Sequence, residues 1–229
     1  MWITPSESEA LRLSLDVATR SVACSLPLAI ALAWVLTRLR FVGRSLLDAL
    51  VHLPLVLPPV VVGYVLLLLF GTRGIIGSWL QKAFDIELVF TRNGAALATA
   101  VMSFPLMVRA IRISLENVDR GLEEAARTLG ARGLDRFATI TLPLMLPGIL
   151  AGAITAFSAA LGEFGAIITF VSNIPGETRT LPLALYTVLQ QPDGEHAAAR
   201  LACLSLALGL GGLLLSEWLA RRLRRMLGR

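Results

Sequence analysis

Few residues in this chain have the type and spacing needed for covalent chemistry. His52 and His196 are far apart and have no carboxylate cluster near them, so no metal set or catalytic pair is expected. Cys24 and Cys203 each stand alone inside an apolar run, without a CxxC pair, and are expected to be inert packing residues. No HExxH, GxSxG or G-x-x-x-x-G-K-[ST] pattern occurs. Two features remain. One is Glu163, a lone carboxylate well inside a long apolar run. A charge at mid-membrane costs about 2.5–3.5 kcal/mol on insertion scales, so Glu163 needs a partner, a proton or water. The other is Glu124-Ala125-Ala126, then three residues, Gly130, nine residues, and Ile140-Thr141-Leu142-Pro143.

The second feature has the pattern of a short surface helix. Asp119 is placed to cap a helix start. Leu122, Ala126 and Leu129 recur at i, i+4 and i+7 as a narrow apolar stripe. Glu123 and Glu124 fall in the first turns, where negative charge is favoured. Ala125 and Ala126 are small enough to let another surface approach. Gly130 suits the left-handed residue that closes a helix. The segment predicts a short amphipathic helix that can enter a groove. On pattern alone it serves equally well as an ordinary loop helix.

The elements that position these residues are apolar and long. Of 229 residues, 55% are hydrophobic and 16% charged, and the mean hydropathy is +0.72. Soluble domains average about 25% charged residues. Five membrane spans are predicted, over roughly 11–37, 50–70, 93–115, 143–171 and 198–219, each near the length of a tilted crossing. The piece 181–190 is apolar but too short to span, and predicts a re-entrant or interfacial helix. Gly148 and Gly152 predict close helix packing at the start of the fourth span, with Pro143 and Pro147 marking the turn into it. No repeat or linker divides the chain, so one membrane domain over 10–219 is expected, with a basic tail over 220–229.

Charge sets the expected orientation. Arg38, Arg40 and Arg44 lie in one loop, and Arg109, Arg112, Arg120, Arg127, Arg132 and Arg136 in another segment. With Arg221, Arg222, Arg224, Arg225 and Arg229 of the tail, these are fourteen of the 21 Lys and Arg residues. The positive-inside rule places that set in the cytoplasm, so the N-terminus is expected outside and the C-terminus inside. The net charge of +5 is then a property of cytoplasmic loops rather than of a nucleic-acid surface. Glu7 and Glu9 precede Arg12 and no A-x-A-like site follows, so no cleaved signal peptide is expected.

The second span carries Pro54, Pro58, Pro59 and Gly63 in LPLVLPPVVVGY. Proline removes backbone donors, so a kink or break is expected. It reads equally as a bending helix beside a pathway and as a static kink fixed by packing.

The E-A-A, G, I-x-L-P spacing resembles the EAA loop of bacterial ABC importer permeases, here about 119–143. LPLVLPPVVVGY, Gly162-Glu163-Phe164-Gly165-Ala166 and the stretch Phe170–Thr180 are similar to molybdate permeases, over nearly the whole chain. The resemblance implies an all-α, polytopic membrane protein with about five transmembrane helices and the type I ABC importer fold, in the bacterial cytoplasmic membrane. It implies that Glu124, Ala125, Ala126, Gly130, Ile140, Leu142 and Pro143 couple the chain to an ATPase. It further implies two ATPase subunits that bind ATP and Mg, a second copy of this chain, and an extracytoplasmic molybdate-binding protein. No cofactor or metal is expected on this chain. Pro54, Pro58, Pro59, Gly63 and Glu163 are the expected pathway or gating positions. For Glu163 a structural or gating role is expected, since it would repel an oxyanion. Sulfate and tungstate permeases share much of this pattern. A passive channel would have no use for the EAA loop, and a membrane-embedded enzyme would need a nucleophile, base or metal set.

Overall fold

In the computed structural model, which describes residues 4–226, the first apolar run becomes helix α1, Pro5–Arg38. Thr4 opens it with a reciprocal cap: the Thr4 hydroxyl accepts from the Glu7 N–H, and the Thr4 N–H donates to Glu7 Oε2 at 2.7 Å. Its 34 residues make about 51 Å of helix, longer than hydrocarbon requires, so α1 overruns the predicted span 11–37. The excess length is tied down near its start. Arg200 Nε donates to Glu7 Oε1 at 3.1 Å, and the Leu181 N–H donates to Ser14 Oγ at 2.7 Å.

The proline-rich second run does not make a straight crossing. It forms α2, Arg44–Val56, and α3, Pro59–Phe70, which meet at 117°. Pro58 and Pro59 supply no N–H donors at the joint, so no helical ladder crosses it. Next comes α4, Ile75–Phe84, between the second and third predicted spans. Helix α5, Arg92–Glu116, is capped by Thr91, whose side chain accepts from the Gly94 N–H.

Helix α6, Arg120–Thr128, and the single turn α7, Gly133–Arg136, precede a π-helical turn, Phe137–Thr141, and α8, Leu142–Leu161. The turn expected at Pro143 is absent. Gly133–Leu161 runs as one 29-residue helix, and the π turn absorbs the proline. Here the Leu142 N–H bonds to Phe137 O, which widens the ladder just before a residue that has no N–H to give. The predicted fourth span 143–171 is therefore corrected at both ends. It starts earlier, and it stops at Leu161, before the short helix α9, Gly165–Val171.

The short apolar piece predicted over 181–190 is α10, Leu181–Leu189. Helix α11, Glu195–Met226, completes the chain and takes in most of the basic tail; residues 227–229, with Arg229, lie outside the described residues. Among the described residues, four helices are long and apolar enough to cross a membrane, or five if α2 and α3 count as one broken span.

The core is organised around α5, which packs on α1 and α8, with α3 and α9 against its first half. In that half Ala95 and Ala98 meet Val17, Ile167, Phe170 and Leu183. In the second half Met107, Val108, Ile111 and Leu115 meet Ala29, Ala33, Leu36, Met145 and Ile149. Gly148 and Gly152 face Ser114, Ala110 and Met107 of α5, where a side chain would not fit, so the expected close packing joins two helices of one chain. Cys24 and Cys203 do not pack in this core. Both are exposed, on helix faces that the chain itself does not cover.

Candidate coupling surface and paired helix breaks

Helix α6 forms as its sequence directs. The Asp119 side chain accepts from the Gly121 N–H at 2.8 Å, satisfying an orphan donor of the first turn. At the far end Gly130 adopts φ +89°, and the Ala131 N–H reaches back to Ala126 O at 3.0 Å. Between these ends no residue of α6 is buried. Leu122 and Leu129 of the apolar stripe are 46% and 87% exposed. Glu124, Ala125 and Gly130 are exposed, and Ala126 is half-buried. The two leucines of its apolar stripe are thus left uncovered by the chain itself.

What holds α6 to the bundle is Glu123, which the sequence reading placed only as a favourable charge. Its Oε1 accepts from Arg38 Nη2 at 2.9 Å and from Thr141 Oγ1 at 2.7 Å. Arg38 ends α1, and Thr141 is the last residue of the π turn. One carboxylate thus joins α6 to two membrane helices. The side chains of Arg38 and Glu123 are only 12% and 21% exposed, so water screens the pair little. Ile140 and Leu142 lie half-buried in and after the π turn, while Pro143 is exposed. The structure therefore divides the expected coupling positions: Glu124, Ala125, Gly130 and Pro143 face outward, and Ala126, Ile140 and Leu142 are partly covered.

The expected pathway positions converge on a second place. The α2–α3 joint and the α8–α9 joint are packed together. A Cβ on Gly165 would lie 2.8 Å from Pro59 Cβ, and one on Gly63 would lie 2.6 Å from Ala166 O. Glycine at both positions lets α3 approach the start of α9 at backbone distance. Glu163 sits at this crossing, half-buried, and its Oε1 accepts from the Ala166 N–H at 2.9 Å. That bond satisfies an orphan backbone donor in the first turn of α9, which gives the carboxylate a partner at a depth where one is required. Phe164 packs at a tilt against Tyr186 of α10, with ring centroids 5.1 Å apart. Pro59, Gly63 and Glu163 are thus brought together, with Pro58 at the joint itself. Pro54 lies within α2, before the bend.

His52 is less isolated than its sequence context indicates. Its Nδ1 is 2.9 Å from Asp48 O and 3.3 Å from Asp48 Oδ1, and Asp48 is in turn bonded by Arg112 of α5. This ties α2 to α5 at the end away from the bend.

Comparison with known proteins bears on this arrangement. Residues 25–225 match the family described as the binding-protein-dependent transport system inner membrane component. The molybdenum transport system permease protein ModB of Escherichia coli K12 is 59% identical over 229 residues, all of both chains. ModB of Haemophilus influenzae is 55% identical over 222 residues, 97% of each. The sulfate transport system permease protein CysT of Escherichia coli K12 is 44% identical over 168 residues, 73% of this chain and 60% of that one. Among solved structures, a bacterial ABC transporter that imports alginate matches with a TM-score of 0.75 at 19% identity, covering 96% of this chain and 80% of that one. The methionine ABC transporter MetNI in an inward-facing form matches with a TM-score of 0.69 at 15% identity, covering 95% and 94%. At those identities the structures speak for the fold alone.

Proposed function

Because this chain belongs to the binding-protein-dependent transport system inner membrane component family, we propose that it is the permease subunit of a molybdate ABC importer. The observation that carries the transport reading is α6, a capped amphipathic helix with no buried residue of its own. Such a helix needs a partner, and an ATPase that binds ATP and Mg is the partner that a transport subunit without a phosphate loop requires. Glu124, Ala125 and Gly130 are its contact positions. Two ATPases would act on two copies of this chain, each copy contributing one α6.

The second copy is assigned to the broken span. Leu50, Leu53, Val56, Val60 and Tyr64 are all exposed around the 117° bend, an apolar face next to the packed joints. Two such faces meeting would place Pro58, Pro59, Gly63 and Glu163 near a shared pathway. An extracytoplasmic protein would deliver the oxyanion, with the N-terminus on its side of the membrane and the Arg-rich loops on the other.

The cargo reading is carried by identity along the full chain to molybdenum permeases, against a shorter and weaker match to a sulfate permease. The test uses the complex reconstituted with its ATPase and binding protein. Molybdate is expected to stimulate ATP hydrolysis and to be taken up. Stimulation by sulfate and not by molybdate would overturn the cargo while leaving an ABC permease. No stimulation by any oxyanion, with the complex intact, would overturn both.

A further inference from the structure

Beside the Arg38–Glu123 pair lies a groove of about 620 Å³ between α1 and the α7–π turn. Its walls are apolar. Ile30 and Trp34 come from one face of α1, and Leu134 and Phe137 from the opposite side. Ile30, Trp34 and Arg38 follow at four-residue spacing, so the apolar wall rises about 12 Å above the guanidinium at its mouth. Trp34 is 37% exposed, the half-covered setting of an indole at a membrane interface.

The mouth carries an excess of positive charge. Arg38 is neutralised by Glu123. Arg136, which also lines the mouth, forms no ion pair among the described residues. Arg136 thus presents a guanidinium without a counter-charge among the described residues, and an anionic oxygen is the acceptor such a group binds most strongly. A single unpaired positive charge at an interfacial depth, above a narrow apolar slot, is complementary to one class of molecule.

We propose that this groove binds an anionic phospholipid, with its phosphate on the guanidinium of Arg136 and one acyl chain against Ile30, Trp34 and Phe137. The proposal rests on the chain's place in a membrane, and on its proposed orientation only for the choice of the cytoplasmic leaflet. It links lipid composition to the docking helix, because Arg38 and the π turn are the two anchors of Glu123. A headgroup bound there would hold α6 in one position relative to α1.

The permease–ATPase complex would be reconstituted in nanodiscs of equal phosphatidylglycerol and phosphatidylcholine, and retained lipid read by native mass spectrometry. Wild type is expected to keep one phosphatidylglycerol per permease chain in preference to phosphatidylcholine. Arg136→Gln is expected to lower that retention about fivefold, the effect of one arginine beside an anionic headgroup, and Arg136→Lys to keep most of it. Benzoylphenylalanine in place of Ile30 is expected to crosslink to lipid. No lipid preference, equal retention in Arg136→Gln, or displacement by millimolar inorganic phosphate would overturn the proposal. So would crosslinking only to the ATPase or to a second permease copy. Lipid retention is read without transport, so its failure leaves the cargo assignment standing, and the reverse.

Discussion

Glu123 and Arg38 are 85 residues apart in sequence and 2.9 Å apart in space. Their bond is the firm link between α6 and the first membrane helix. Glu123→Ala removes the acceptor for both Arg38 and Thr141 and leaves a largely covered guanidinium without its counter-charge. It is expected to destabilise the permease by about 1–3 kcal/mol, seen as a lower midpoint in thermal unfolding of the purified protein. ATPase binding should survive, because Glu124 and Ala125 are untouched, while uptake falls. An unchanged midpoint together with normal uptake would remove Glu123 from this role.

Glu124 is the contrasting case. It is exposed and makes no bond to its own chain among the described residues. Glu124→Lys should therefore alter stability by no more than about 0.5 kcal/mol. It should nonetheless abolish ATPase co-purification and uptake, since it places a positive charge in the first turns of α6 and on the docking face. Normal co-purification would remove the coupling assignment.

Gly130 tests the closing turn. A Cβ there meets nothing within 4 Å, so only the backbone at φ +89° penalises a side chain. Gly130→Ala is expected to lose about 1–2 kcal/mol from the α6 end, and Gly130→Asn less, since asparagine tolerates the left-handed region. The measurement is hydrogen exchange across 120–131. Equal exchange in all three proteins would contradict it.

Gly63 tests the crossing of α3 and α9. Gly63→Ala places a methyl 2.6 Å from Ala166 O and 2.9 Å from Thr169 Cβ, so one helix must move. A loss of about 1–3 kcal/mol is expected, as for overpacking elsewhere, with a larger loss of uptake. Full stability in Gly63→Ala would mean that the two breaks are not held together as described.

Glu163 separates acceptor from charge. If its task is to accept from the Ala166 N–H, then Glu163→Gln keeps the bond and most uptake. Glu163→Ala loses about 1 kcal/mol, the usual worth of an N-terminal cap, and loses uptake. A Glu163→Gln protein as inactive as Glu163→Ala would show that the negative charge itself is needed.

What could be read from the sequence was local. Asp119, Gly130 and the short helix at 181–189 announced themselves because capping, left-handed backbone and length are decided by neighbouring residues. The positions of the first, third and fifth crossings were legible for the same reason, since hydropathy sums over adjacent positions. The partners were not. Glu123 and Glu124 are chemically identical, and only the helix register, about 100° per residue, turns one toward Arg38 and the other outward. The prolines announced a break, but its 117° angle depends on Gly165, more than a hundred positions later. The end of the fourth span was misplaced because Gly162–Phe164 sits between two apolar stretches that a hydropathy window merges.

The uninterrupted helix from Gly133 to Leu161 has a mechanical meaning. It runs from beside the docking helix to the Glu163 joint, and its close contact with Ser114 at Gly148 falls about 20 Å from either end. A stiff rod packed on α5 along its middle, at Met145, Gly148, Ile149 and Gly152, can rock as a see-saw. A push on the Gly133 end by a closing ATPase would return at Leu161 with similar amplitude and opposite sense, without any hydrogen bond in between having to break. Spin labels at Ala131 and Gly162, each measured against a label on α5, should then move in opposite directions through the ATP cycle; movement of only one end would mean that the rod bends at its π turn.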